Sequence, residues 1–289
     1  MWPPMTGFGS RKPVCYNGPV VTGPGTIAAA GLLAAADPPP FELVNGEGAA
    51  PLLFVCDHAG RAIPRALGRL GLDEATLARH IAWDIGIADL TRALAFRFGA
   101  PAVLATYSRL VIDCNRRLDD PASIPAESDR VTIPANQALD AEEKVQRAAA
   151  CFHPYHSAVD RILASLIARG IRPAFLSMHS FTPVFQGFER PWHVGVLWDR
   201  DARLAVPLMQ ALAEDGDLIV GDNQPYSGRE RRGYAIRVHA ESRRLPHALI
   251  EVRQDLIDTG RGVKEWEGRL GRALARALGL SVGCGKEQN

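Results

Sequence analysis

The sequence has no Cys-x-x-Cys pair, no excess of charge of either sign, no apolar run of transmembrane length and no internal repeat. Each absence removes a class of function. Five cysteines stand scattered at positions 15, 56, 114, 151 and 284, an odd number without metal-ligand spacing, which argues against a thiolate zinc site and for a reducing, cytoplasmic setting. A net charge of +1 leaves no electrostatic footprint for nucleic acid or a membrane surface. The alanine-rich stretch around Ile27 to Ala36 is shorter than the roughly twenty apolar residues that cross a bilayer. With prolines and only Arg11 and Lys12 as basic residues ahead of it, it makes a weak signal peptide. Nothing in the composition fixes the oligomeric state.

What is present is a chain of 289 residues, 47% hydrophobic, long enough for one large core. Residues 1–38, dominated by Pro, Gly and Ala, read as a disordered or extraneous lead. The folded domain is expected over 39–280, its body beginning near Phe41, with a short tail at 281–289. Leu52 to Cys56 is an unbroken apolar run, the pattern of a strand buried on both faces. Further strands are expected at Ala102 to Thr106, Leu110 to Cys114, Ala174 to Met178, Val194 to Trp198, Leu218 to Val220, Ala235 to His239 and Ala248 to Val252. Helical spacing marks Asp73 to Arg79, Ile85 to Phe98, Ala141 to Arg169 with a break at Pro154, Ala202 to Glu214 and Gly262 to Leu278. Asp119 to Gln137 carries three prolines and reads as a long loop. The alternation predicts an α/β fold, a single domain with a central, mostly parallel or mixed sheet and helices on both faces.

Three clusters of polar residues sit where that sheet should end. The first strand stops at Asp57 and His58, and a second candidate strand ends at His179. Ligands of open α/β sheets bind at the carboxyl ends of strands, and two imidazoles there can meet at one metal ion with a third ligand and an open position for water. Asp84, in HIAWDIG, is the preferred third ligand and Asp57 its competitor; a histidine merely hydrogen-bonded in a loop is the bland alternative. In YSRLVIDCNRR, Arg109, Asp113 and Asn115 share one face if the segment stays extended, with Arg116 beyond. Such guanidinium and amide donors suit a carboxylate, with a structural ion-pair network as the alternative. In ALIEVRQD, Glu251 interrupts an apolar strand, and burial would raise its pKa toward the range of a general base unless a neighbour such as Arg253 pairs with it. Weaker candidates are Tyr226 and Ser227 on a loop flanked by Gly and Pro, His239, and the pair His153 and His156, for which a helix-face role is favoured. His193 and Trp192 are expected to support the sheet edge.

The segments HAGRAIP, HIAWDIG, YSRLVIDCNRR, SMHSFTP, RPWHVGVLWDRD, VGDNQPYSG and LPHALIEVRQDLI, taken together and in this order, resemble the N-formylglutamate amidohydrolase family over about residues 40–278. The resemblance implies a phosphorylase/hydrolase-like fold of the zinc carboxypeptidase kind, related to aspartoacylase, and hydrolysis of an N-acyl amino acid, with formate and glutamate as the products of the named reaction. Aspartoacylase-like enzymes carry an arginine and then an Asn-Arg pair for substrate carbonyl and carboxylate, and Arg109, Asn115 and Arg116 match that pattern. Their metal is held by His-x-x-Glu and a later His; here the position three after His58 is Arg61, so the pattern itself does not supply the second ligand.

The mechanism expected from these parts places zinc, or another divalent metal, on His58, Asp84 and His179, with Glu251 as the base for its water. Arg109 would stabilise the oxyanion, Asn115 and Arg116 would hold the amino-acid carboxylate, and Tyr226 and Ser227 would close over the substrate. The alternatives are an amidohydrolase for another N-acyl amino acid or a peptide, and a non-catalytic carboxylate-binding protein on the same fold.

Overall fold

The five consecutive apolar side chains of Leu52–Cys56 leave that strand no face suited to water. In the computed structural model, which describes residues 31–280, all five are buried at the middle of a seven-stranded sheet. Its strands are β1 (Phe41–Val44), β2 (Leu52–Cys56), β3 (Ala102–Ala105), β4 (Ala174–Phe181), β5 (Val194–Leu197), β6 (Val220–Asp222) and β7 (His247–Arg253), in the spatial order β1-β3-β2-β4-β7-β5-β6. The four central strands β3, β2, β4 and β7 run parallel. β1 is antiparallel to β3 and β5 antiparallel to β7, while β6 follows β5 in parallel. The sheet is therefore mixed and mostly parallel, as expected.

Strand periodicity divides its side chains between two cores. Leu52, Phe54 and Cys56 of β2, Met178 of β4 and Ile250 of β7 pack with helices α1 (Ile87–Phe98), α4 (Ala202–Ala213) and α5 (Gly260–Leu278). Leu53, Val55 and Phe175 point the other way, onto α3 (His153–Ala168). Helices thus cover both faces. None of the helices among the described residues is long and apolar enough to cross a membrane.

Two expected strands are not strands. Leu110 to Cys114 forms turns, because short polar side chains capture nearby backbone donors: Ser108 Oγ accepts from the Leu110 N–H at 3.1 Å, and Asp113 Oδ1 from the Asn115 N–H at 2.8 Å. Arg109, Asp113 and Asn115 therefore do not share a strand face. Ala235 to His239 is also wound, with the wide turn Ile236–Ala240, and its start is fixed from 120 residues away: Asn115 Oδ1 accepts from the backbone N–H groups of Tyr234 at 2.7 Å and Ala235 at 3.1 Å. The strand expected at Leu218 to Val220 lies slightly later, at Val220–Asp222, and that expected to stop at Met178 continues to Phe181. Ahead of Pro154 the long helix opens into the wide turn Ala148–Phe152 between α2 (Ala141–Arg147) and α3, since a proline cannot donate to the preceding turn.

The long segment 119–137 packs as a third core with the turns at 107–116. Buried Arg147 pins the two, donating to the Val111 and Ala135 carbonyls and to Asn136 Oδ1. Of the expected lead, positions 1–30 lie outside the described residues, as does the tail at 281–289. From Ala34 onward the chain is tied to the body: Asp37 accepts from the backbone N–H of Ala34 and of Arg65, and the Tyr107 hydroxyl donates to the Pro38 carbonyl.

Candidate functional site

Close backbone approaches set the site at the carboxyl edge of the central strands. After β2 the chain passes over the end of β3 so tightly that a Cβ on Gly60 would lie 1.9 Å from the Thr106 carbonyl oxygen. That crossing leaves His58 at the strand end. Asp84 is drawn to it by its own backbone, whose N–H donates to the His58 carbonyl at 3.0 Å. The chain then turns into α1 through Gly86, whose φ of 78° and clearance from the Ile257 carbonyl, 2.1 Å to a hypothetical Cβ, admit no side chain. His179 on β4 and Glu251 on β7 are register partners, and alternation puts both opposite Met178 and Ile250, on the face turned from α1 and α5.

His58, Asp84 and His179 are all buried, and one ligand atom from each falls within 4.8 Å of the others. The two ring nitrogens that face Asp84 Oδ2 are both Nδ1, at 3.4 Å for His58 and 3.0 Å for His179. Each Nε2 is occupied on the far side by a different carboxylate: His58 Nε2 lies 2.7 Å from Asp113 Oδ1, and His179 Nε2 lies 3.3 Å from Asp57 Oδ2. On His58 the carboxylate of Asp113 at the outer nitrogen favours the tautomer that leaves Nδ1 bare, as in histidine metal sites, whereas His179 Nδ1 is hydrogen-bonded to Asp84 Oδ2. His58 Nδ1 is in fact buried without a hydrogen-bond partner. Two imidazole nitrogens, one carboxylate oxygen and an unsatisfied donor atom facing inward fit a divalent cation, so this group could hold a metal ion.

Asp57, the competitor for the third ligand position, faces the opposite side of His179, where the hydroxyls of Tyr155 and Ser177 also donate to it at 2.9 and 3.2 Å. The position three after His58 also turns away: Arg61 is exposed, lies over the Trp83 ring and reaches Glu74. The negative surroundings show in the proton affinities. Burial alone would lower the pKa of His179, but the carboxylates of Asp57 and Asp84 outweigh it and push it up to about 10. For Asp84, burial raises the pKa, yet the two histidines carry it below the usual carboxylate range. Glu251 goes the other way: burial, with Asp84 adding repulsion, raises it to about 7, and its Oε2 has no hydrogen-bond partner.

Nine of the sequence candidates line one cavity of about 280 Å³: His58, Asp84, His179, Glu251, Arg109, Asn115, Arg116, Tyr226 and Ser227. Arg109 donates to Asp113 Oδ2 at 2.7 Å and lies 3.6 Å from Asp84, so Asp113 holds both an arginine and a histidine. With Asn115 Oδ1 turned to the 234–235 backbone, its Nδ2 faces His179 Nε2 at 3.4 Å. The Arg116 guanidinium bonds only to the Asn115 carbonyl and has no carboxylate within 4 Å among the described residues. Tyr226 stacks on Arg190, which donates to its hydroxyl oxygen at 3.2 Å; Ser227 Oγ accepts from the Arg229 N–H. Arg253, the pairing partner considered for Glu251, binds Asp255 instead.

Of the other histidines, His247 also lines the cavity, its Nδ1 donating to the Leu245 carbonyl at 2.9 Å, while His80, His153, His156, His193 and His239 stay out of its wall. His193 Nδ1 accepts from the Ile219 N–H beside β5 and β6. His156 and His239 form a buried pair, Nδ1 to Nε2 at 2.9 Å, with His239 Nδ1 on Asp160 and His156 Nε2 donating to the Cys114 carbonyl at 2.8 Å. Burial and the facing His239 lower the pKa of His156 to about 4, against the opposing pull of Asp57 and Asp160. An unfolded imidazole titrates near 6.5, so between pH 6.5 and 4 the unfolded chain binds the additional proton and stability falls as pH falls, by roughly 3 kcal/mol over the window. His156→Gln keeps a donor for Cys114 and removes the titration. Denaturant melts should show a flatter stability profile from pH 6.5 to 4 for the variant than for the wild type; parallel profiles would disprove the assignment.

The sequence reading did not include Tyr155, Ser177, Arg190 or the arginines of 231–237. Ser177 was accessible, since it sits two residues before His179 on a strand. The rest reach the site only through tertiary packing.

A search of curated proteins finds none that matches the chain. Among solved structures, a gene product of Agrobacterium tumefaciens is 35% identical with a TM-score of 0.83, the match covering 86% of this chain and 98% of that one. The N-formylglutamate amidohydrolase of Ralstonia eutropha has the same fold at 22% identity and a TM-score of 0.62, over 83% of this chain and 98% of that one. The sequence profile of N-formylglutamate amidohydrolases matches residues 50–258, a span that contains every residue lining the cavity. With that span running from the first central strand to the turn after the last, the chain belongs to the N-formylglutamate amidohydrolase family.

Proposed function

We propose that this protein hydrolyses the amide bond of an N-acyl amino acid, with N-formyl-L-glutamate as substrate and formate and glutamate as products. The observation that carries the reading is the bare Nδ1 of His58, gathered with His179 and Asp84 in front of an unpartnered Glu251 carboxylate. The donor set of two nitrogens and one oxygen is that of a catalytic zinc site. A divalent cation bound there supplies acidity to a water molecule and polarisation to the acyl carbonyl.

The remaining steps belong to the chain's own groups. Glu251, with a proton affinity poised near neutrality, takes a proton from the attacking water and delivers it to the amine nitrogen as the C–N bond breaks. Arg109, held in place by Asp113, faces the charge that develops on the acyl oxygen. Arg116 and the Asn115 amide hold the α-carboxylate, which fixes the amide against the water. Arginine cannot accept a hydrogen bond, so the contact from Arg190 leaves the Tyr226 hydroxyl hydrogen for the substrate. Ser227 borders the same wall. The buried free thiols at Cys56, Cys114 and Cys151 accord with a cytoplasmic location.

Protein purified without a metal-affinity tag is expected to carry about one zinc per chain and to release formate from N-formyl-L-glutamate. A panel of N-formyl, N-acetyl and longer N-acyl amino acids sets the acyl preference. Neither bound metal nor hydrolysis of any member would favour a carboxylate-binding protein instead.

A further inference from the structure

Five arginines line the cavity, and their pairing is uneven. Arg109 is engaged by Asp113 and Asp84. Arg231 lies 3.3 Å from Glu241 and 3.6 Å from Asp199, and Arg232 lies 3.1 Å from Glu230. Arg116 and Arg237 remain, each bonded only to a backbone carbonyl and neither within 4 Å of a carboxylate among the described residues. The cavity therefore presents two guanidiniums whose charge is unmatched by the protein, on walls contributed by different parts of the chain.

The placement of Arg237 is not incidental to the site. It lies two residues beyond Ala235, whose N–H is bound by Asn115 Oδ1. Gly233, on the same segment, lets that amide approach: a Cβ there would sit 3.3 Å from Asn115 Oδ1. The amide assigned to the α-carboxylate thus also anchors the segment bearing the second unmatched cation.

We propose that Arg237 reads the substrate's side chain: it binds the second carboxylate of an acidic N-acyl amino acid while Arg116 takes the first. The inference rests on the hydrolase reading above and adds to it the residue that distinguishes a dicarboxylate from a neutral amino acid. A planar guanidinium grips a carboxylate through two parallel bonds, which an amide of the same shape cannot reproduce.

The test compares N-formyl-L-glutamate with N-formyl-L-glutamine, its neutral isostere, in the wild type, Arg237→Met and Arg237→Lys. For a charge-assisted pair, Arg237→Met should lower kcat/KM for the glutamate substrate about 10- to 100-fold, through KM with kcat little changed. Activity on the glutamine substrate should stay near that of the wild type, and Arg237→Lys should fall between. Arg237 is exposed at the cavity rim, and unchanged melting temperatures would show that the variants fold. Equal losses on both substrates, or no loss on either, would overturn the role of Arg237 alone. Failure of the wild type to hydrolyse either substrate would overturn the hydrolase reading and this one with it.

Discussion

Glu251→Gln is expected to lower kcat by about 10²- to 10⁴-fold, the range for loss of a general base, while the protein stays folded and keeps its metal. The separation follows from what the side chain touches. Glu251 Oε2 is buried without a hydrogen-bond partner, so the isosteric amide removes no protein contact at that atom. Its ionised form is disfavoured by burial and by Asp84, so a neutral group is tolerated at least as well and the metal-free melting temperature should hold or rise. The histidines and Asp84 are untouched, and metal content should match the wild type. Steady-state rates, metal analysis and a melting curve on one preparation decide the matter. Full activity in the variant would remove Glu251 from the proton path, and activity lost together with the metal would make it a ligand instead.

The same residue shows what the sequence made legible. A glutamate in the apolar run ALIEVRQD is anomalous at one strand position, and strand periodicity preserves that anomaly in three dimensions, beside His179 on the neighbouring strand. The fully apolar LLFVC could be read as a central strand for the same reason: burial on two faces leaves its mark residue by residue. The turns at 107–116 and 234–240 could not. Both look extended by hydrophobicity, and both are wound because a side-chain oxygen, from Ser108, Asp113 or Asn115, takes the backbone donors a sheet would have used. Asn115 acts across 120 positions, beyond any local pattern. Asp57 posed a different difficulty. Sequence alone places an acid next to a histidine but cannot say which ring nitrogen it meets.

That ambiguity is resolved experimentally by Asp57→Asn and Asp84→Asn, which are expected to fail in different ways. Asp57 accepts from three groups at once, the Tyr155 and Ser177 hydroxyls and His179 Nε2. An asparagine has one acceptor oxygen for these donors, and its NH₂ must confront at least one of them. The His179 ring then loses its orientation but keeps its Nδ1, and loss of such an outer partner weakens metal binding by about 10- to 100-fold. Saturating zinc should therefore restore much of the activity of Asp57→Asn. In Asp84→Asn the anionic oxygen shared by both Nδ1 atoms disappears, and with it the charge that offsets the dication. Here the loss of affinity should exceed that range, and added zinc should not restore activity. Competition against a chromophoric zinc chelator measures both affinities. Were the pattern reversed, with zinc rescuing Asp84→Asn and not Asp57→Asn, the ligand would be the acid beside His58 in sequence, and the orientation of His179 described above would have to differ in the metal-bound protein.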